Sequence, residues 1–131
     1  MTVARILAIK GRDVVTAQPH LTLREAADVL ARNRIGAVVV SDAAGGVLGI
    51  LSERDIVRAV SSGGADALTD PVSRHMTAKV ISTSEDESIE ETMETMTRSR
   101  VRHLPVIRDG RLAGMISIGD VVKIRLEAME T

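Results

Sequence analysis

Gly49-Ile50-Leu51-Ser52-Glu53-Arg54-Asp55 returns later in the chain as Gly114-Met115-Ile116-Ser117-Ile118-Gly119-Asp120. Both stretches run from a glycine through apolar residues to a serine, then to an aspartate one helical turn on. The match extends outward on the N-terminal side. Val14-Val15-Thr16 returns as Val80-Ile81-Ser82, and Leu23, Ala27, Leu30 and Ile35 return as Ile89, Met93, Met96 and Val101. The spacing is constant except for one residue dropped in a turn. A period of this length means that one structural unit is built twice, and that the polar residues kept in both copies are the ones to inspect.

Each copy reads β-α-β-β-α. A short β segment (Val14 to Thr16; Val80 to Ser82) leads through a polar turn into a helix. Thr22 with Glu25 and Ser88 with Glu91 have the spacing of capping boxes at the two helix starts. Leu23, Ala26, Ala27 and Leu30 form one apolar stripe, and Ile89, Met93 and Met96 the other. Two β segments follow in each copy, Gly36 to Ser41 with Gly46 to Leu51, and His103 to Ile107 with Arg111 to Ser117. The second pair is joined by Arg108-Asp109-Gly110, and Asp-Gly between apolar runs is a hairpin signal. A last helix starts near Ser52 or Ser117. The link Ser61 to Asp70 contains Ser-Ser-Gly-Gly and reads as a flexible connection. Pro71 suits the first turn of a short helix ending near Met76, for which Thr2 to Ile9 is the candidate counterpart.

A repeat of about 55 to 60 residues is marginal by itself. The expected fold is therefore α/β (α+β), two β-α-β-β-α repeats packed with pseudo-two-fold symmetry. Residues 1–64 form repeat 1 with the N-terminal segment and residues 65–131 form repeat 2 with the linker. The terminal helices carry wide apolar surfaces. Val122, Leu126 and Met129 mark one face of the last helix, while Val121, Ile124 and Ala128 mark another; Ile56, Val57, Ala59 and Val60 are similarly broad. Such breadth means burial on two sides, either against a partner chain, which makes a homodimer, or deep within one core.

Composition narrows the function. The chain has 131 residues and a formal net charge of −1, so no general attraction to nucleic acid or membrane follows. It has no cysteine, hence no disulfide, which fits a reducing compartment. The N-terminus lacks a secretory signal pattern, and no apolar run approaches the roughly 18 residues of a membrane span; the expectation is a cytoplasmic protein. There is no Phe, Tyr or Trp. The core must be aliphatic, and a flat ligand ring must lie between aliphatic side chains and backbone. The acidic run Glu85, Asp86, Glu87, Glu90 and Glu91 opens a helix, where negative charge is favourable. Its spacing does not make a calcium loop, and His20, His75 and His103 lie far apart, so no metal site is expected. No P-loop or nucleophile-elbow motif is present.

The paired signatures, together with Arg102-His103-Leu104-Pro105-Val106 and Met76-Thr77, resemble a tandem pair of CBS domains, named after cystathionine β-synthase and also called a Bateman module. The resemblance covers essentially the whole chain, which leaves no effector domain and looks like a stand-alone module. It implies a regulatory binding module for an adenosine-containing ligand: AMP, ADP, ATP, NAD(H) or S-adenosylmethionine. In such modules the ligand lies in clefts between the repeats, the module dimerises, and a partner protein reads the ligand-dependent change, as in energy or redox sensing.

The repeated polar residues admit two readings. A carboxylate at the start of a helix, as at Asp55 and Asp120, can accept hydrogen bonds from vicinal ribose hydroxyls. Ser52 and Ser117, with the free N–H groups of the first turn, can hold phosphate oxygens. The same residues are also good helix caps in any protein; the resemblance favours ligand contact. Arg54 has no charged equivalent, being matched by Gly119, and Arg102 and His103 are matched by Gly36 and Ala37. These three are candidate phosphate contacts, against a reading of Arg102 as a solvated strand residue. From the family pattern, adenine is expected against Val15, Ile81, Ala37, Val38, Leu104 and Pro105, with Thr16 and Ser82 adding hydroxyl contacts. Met76 and Thr77 enter copy two and are expected to line its site. Copy one has Ile9-Lys10-Gly11-Arg12 instead, so the two sites are expected to differ.

No residue pair reads as nucleophile plus base, so no catalytic residue is assigned and an enzyme is not expected. The alternatives to a sensing module are a structural or interaction module with vestigial sites and, last, a nucleotide-processing enzyme.

Overall fold

The computed structural model describes residues 1–130. The first repeat supplies β1 (Thr16–Ala17), α2 (Leu23–Asn33), β2 (Ala37–Ser41), β3 (Val47–Ser52) and α3 (Glu53–Gly63). The second supplies α5 (Ile89–Ser99), β4 (His103–Arg108), β5 (Arg111–Ser117) and α6 (Ile118–Glu130). Two further helices precede the repeats, α1 (Val3–Lys10) and α4 (Val72–His75).

The chain divides into two compact units, and the division differs from a cut at residue 64. One unit is Val15–Val80; the other joins Met1–Val14 to Ile81–Thr131. The N-terminal segment thus packs with the second repeat, and the linker packs with the first. Backbone bonds explain this. Leu23 N–H donates to Asp70 O (3.0 Å) and Val72 N–H to Leu21 O (2.7 Å), tying α4 to the start of α2. In the same way Ile89 N–H donates to Met1 O (3.1 Å) and Val3 N–H to Glu87 O (3.0 Å), tying α1 to the start of α5. Thr2 to Ile9 is therefore the structural counterpart of the short helix after Pro71, as its position in the repeat suggested.

In the unit Val15–Val80 the sheet has the order β1-β2-β3, with β1 parallel and β3 antiparallel to β2. Leu23, Leu51, Val38, Val40 and Val72 are fully buried in its core. Each such side chain contributes about 1.5–3 kcal/mol relative to exposure. Helix α2 starts on a complete capping box: Glu25 N–H donates to the Thr22 hydroxyl (3.1 Å), and Thr22 N–H to the Glu25 carboxylate (3.1 Å). The run Ser61-Ser62-Gly63-Gly64 is not a flexible connection. Helix α3 continues to Gly63, and Gly64–Thr69 forms a 3₁₀ helix that buries Ala67 in the same core. Tertiary burial outweighs the helix cost of these glycines.

In the other unit the sheet is the β4-β5 hairpin. Its turn has Asp109 at φ 52° and Gly110 at φ 76°, the double left-handed geometry that Asp-Gly allows. The first β segment of this repeat is reduced to a bridge, Thr83 to Val106, one residue beyond the expected Val80 to Ser82. Its capping box is half formed: Glu91 N–H donates to the Ser88 hydroxyl, but the Glu91 carboxylate accepts from that hydroxyl rather than from the Ser88 backbone. Leu7, Ile89, Leu104, Val106 and Ile116 are fully buried in its core. On α6, Val121 and Ile124 face that core, whereas Val122, Leu126 and Met129 are exposed; on α3, Ala59 is buried and Val57 exposed.

Candidate functional site

Strand alternation decides which residues each sheet offers. Val38, Val40 and Leu51 point into one core, and Leu104, Val106 and Ile116 into the other. Their neighbours therefore lie on the opposite face. Cross-strand pairing places Ala37 opposite Ser52 and Val39 opposite Ile50; in the second hairpin His103 is opposite Ser117 and Pro105 opposite Met115. Thr16 pairs with Val39 and joins that row. Each unit thus has the same short array, an alanine or a histidine beside a serine at the strand end, with an apolar pair behind.

The alternation sorts the expected adenine-side residues by face. The side chains of Val38 and Leu104 point into the two cores, on the face away from Ala37, Val39 and Pro105. Adjacent strand residues point to opposite faces, so the side chains of Ala37 and Val38, and those of Leu104 and Pro105, lie on opposite sides of their sheets. Val39, Ile50 and Met115 share the row of Ala37 and Pro105, with Val39 itself fully buried, and the period-two alternation of the strands is the signal for them. Val15 and Ile81 are half-buried and pack against their own cores. Thr16 and Ser82 are exposed.

At the end of each array a strand passes directly into a helix, and serine and aspartate cap one another. Ser52 N–H donates to Asp55 Oδ2 (2.9 Å), and Asp55 N–H to Ser52 Oγ (3.4 Å). Ser117 N–H donates to Asp120 Oδ2 (2.9 Å), and Asp120 N–H to Ser117 Oγ (3.1 Å). The capping reading is therefore realised in both copies. It does not use up the carboxylates: each directs Oδ2 at the backbone, and a carboxylate has about four acceptor positions.

The surroundings differ. Arg58 is 3.7 Å from Asp55 Oδ1. At Asp120 the Lys10 ammonium lies 2.7 Å from Oδ2 and donates at 2.8 Å to the Met115 carbonyl. Burial pushes the Asp120 carboxyl upward, but the Lys10 hydrogen bond and charge, with the Ser117 N–H, outweigh it and hold the group below the ordinary aspartate value. Arg102 is exposed just before β4, next to His103, and its carbonyl accepts from Ile118 N–H (2.8 Å). In the first repeat Gly36 does the same for Glu53 N–H (2.9 Å), which confirms that Arg102 stands where Gly36 stands. Arg54 is exposed on the first turn of α3.

Met76 and Thr77 belong with the first repeat, not the second. Thr77 N–H donates to Ile50 O (2.8 Å), and Ile50 N–H to Thr77 O (3.0 Å). Met76 packs on the core of Val15–Val80. The segment leaving α4 thus lies on β3, and Lys10, the last residue of α1, reaches β5 with its side chain. The sequence order places each connecting segment at the entry to the following repeat, whereas α4 docks backward on the first repeat and α1 docks across the chain on the second.

The structure thereby gathers Thr16, Ala37, Ser52, Asp55 and the Met76-Thr77 segment in one unit, and His103, Pro105, Ser117 and Asp120, now with Lys10, in the other. No helix among the described residues is long and apolar enough to cross a membrane.

Comparison with known proteins agrees with this duplicated architecture. The CBS domain model matches twice, over residues 6–62 and 72–127. The crystal structure of a CBS-domain-containing protein from Agrobacterium tumefaciens is 51% identical, covers 95% of this chain and 99% of that one, and superposes with a TM-score of 0.94. A CBS domain protein from Pyrobaculum aerophilum, complexed with AMP, is 28% identical with both chains fully covered and a TM-score of 0.84. A CBS domain-containing protein of Bacillus subtilis is 33% identical over 82% of this chain and 76% of its own length. With its signatures, its two arrays and these relatives in agreement, the chain belongs to the CBS domain family and carries two CBS domains.

Proposed function

We propose that the protein is a regulatory module that binds an adenosine-containing nucleotide, with the ribose on Asp55 or Asp120 and the phosphate near the serine and the first helical turn that follows it. The observation that carries this reading is the serine–aspartate junction at the strand-to-helix turn of both units, in a chain similar over its full length to a protein complexed with AMP. Each junction combines a carboxylate able to accept from a diol with backbone N–H groups at a helix start. Arg54, Arg102 and His103 are the candidate phosphate contacts. Thr16, Ser82, Ala37, Pro105 and Thr77 are candidate lining residues, joined by the backbone of Val38 and Leu104.

The ligand candidates are AMP, ADP, ATP, NAD(H) and S-adenosylmethionine. A CBS domain pair 25% identical to this chain, with a TM-score of 0.85, is complexed with 5′-methylthioadenosine and S-adenosylmethionine, which supports the adenosine moiety as the shared element. The role is binding rather than catalysis, since the polar groups of both arrays suit holding a ligand. The exposed apolar faces of α3 and α6 fit a homodimer. A ligand signals to a partner protein only by binding one arrangement better than another.

The test is direct. The chain has no Trp or Tyr, so a band at about 260 nm in purified protein reports bound nucleotide. Nucleotide-free protein is then titrated calorimetrically with each candidate. Binding of at least one supports the reading; no heat and no thermal shift with any of them overturns it.

A further inference from the structure

We propose that Lys10 is a ribose-reading residue of the site built on Asp120, and that it makes this site more selective for a ribose hydroxyl than the site built on Asp55. The inference rests on the reading of Asp120 as the ribose acceptor. It starts from a break in the repeat. Lys10 occupies the place that Met76 occupies in the other copy, one position before Gly11 and Thr77 respectively. In the Val15–Val80 unit this segment bonds to β3 through its backbone, by the reciprocal pair between Thr77 and Ile50. In the other unit the contact to β5 is made by a side chain, from Lys10 Nζ to the Met115 carbonyl at 2.8 Å. The same ammonium reaches Asp120 Oδ2 at 2.7 Å.

The geometry has a chemical consequence. An ammonium carries three donors. Two are spent, on Met115 and Asp120, and the third remains beside the carboxylate, on a side chain that is 35% exposed. A hydroxyl is both donor and acceptor. One that donates to Asp120 can accept from Lys10, so the pair offers both halves of its hydrogen bonding. At Asp55 the corresponding residue is the thioether Met76, which offers no N–H. The nearest cation there is Arg58, at 3.7 Å on a largely exposed side chain. A ligand lacking the hydroxyls leaves the Lys10–Asp120 pair without its ligand partners, whereas at Asp55 only the acceptor is left. Placing a cation by the sugar rather than the phosphate also separates this role from a general attraction to anions.

The experiment isolates the Asp120 site by measuring in a D55A background, with AMP and 2′,3′-dideoxy-AMP as probes in calorimetry. K10M in that background is expected to weaken AMP about tenfold, the loss of one charge-assisted hydrogen bond, and to leave 2′,3′-dideoxy-AMP unchanged. K10R is expected to keep most of the AMP affinity. Thermal unfolding without ligand identifies any variant that does not fold, in which case K10R and K10Q carry the comparison. Equal weakening of both probes by K10M would assign Lys10 to the phosphate and overturn the inference, as would unchanged AMP binding. If D55A protein binds no AMP while the parent does, the reading of Asp120 as a ribose site fails as well.

Discussion

Gly49 lies directly under Thr77: a Cβ on Gly49 would come within 2.7 Å of the Thr77 carbonyl oxygen and 2.8 Å of the Met76 sulfur. The segment leaving α4 docks on β3 at this point, so the glycine of the first signature is required by packing before any ligand is considered. Gly114 stands in the equivalent place, and its Cβ would meet Leu7 Cδ2 at 2.7 Å.

Replacing either glycine by alanine should therefore destabilise the protein, with G49A worse than G114A. At Gly49 one obstacle is backbone that is also hydrogen-bonded to Ile50, and cannot turn aside; at Gly114 it is a side chain. Overpacking of this kind costs about 1–3 kcal/mol. Urea unfolding of the two variants checks both the size and the order, and equal midpoints would contradict it.

Asp120 makes stability depend on pH. Its folded pKa is depressed, so its contribution is present above the unfolded value of about 3.9 and is lost as pH falls through the lower folded value. D120N should cost at most about 1 kcal/mol at neutral pH, because the ion pair with Lys10 is partly exposed. The gap between parent and variant should close below about pH 4. Glu85, held low by its hydrogen bond to Arg12, adds its own acid loss to both proteins and cancels in the difference. Urea titrations at neutral and acid pH measure this; a gap that does not narrow would remove the ionic explanation.

The two acidic sites should not be equal. The Asp120 unit also contains exposed Arg102 and, on β4 opposite Ser117, His103, whereas Gly36 and Ala37 stand in those places beside Asp55. D120A should weaken AMP binding more than D55A, by about tenfold for each charge-assisted contact that depends on a bound ribose. Calorimetric isotherms of the two variants decide this, and equal losses would count against it.

The exposed apolar faces should hold two copies together. Val57 is 66% exposed, Leu126 55% and Met129 79%, on helices whose opposite sides are already buried. Val57→Asp combined with Leu126→Asp should shift the protein from dimer to monomer in light scattering after size exclusion, with little change in helix content. A parent protein that is monomeric at all concentrations would refute it.

The duplicated pattern by itself determined the helices and hairpins of both repeats, the capping of α2, the turn at Asp109-Gly110, and the serine–aspartate junctions, but not the loss of the strand at Val80 to Ser82 or the helical link after Gly63. What it determined depends on local physics: strand and helix periods, caps and turns act over a few residues and leave their mark in neighbouring positions. The same alternation carries the information that Val38 and Leu104 point inward. The tertiary structure alone decided where the connecting segments go. Nothing local to Met1–Val14 says that it packs with Ile81–Thr131, or that Gly64–Thr69 buries Ala67 instead of staying loose. Those outcomes depend on which distant apolar surface and backbone edge is left to cover. For that reason Lys10, read along the chain as a mere departure from Met-Thr, became the partner of Asp120 only once the chain was folded.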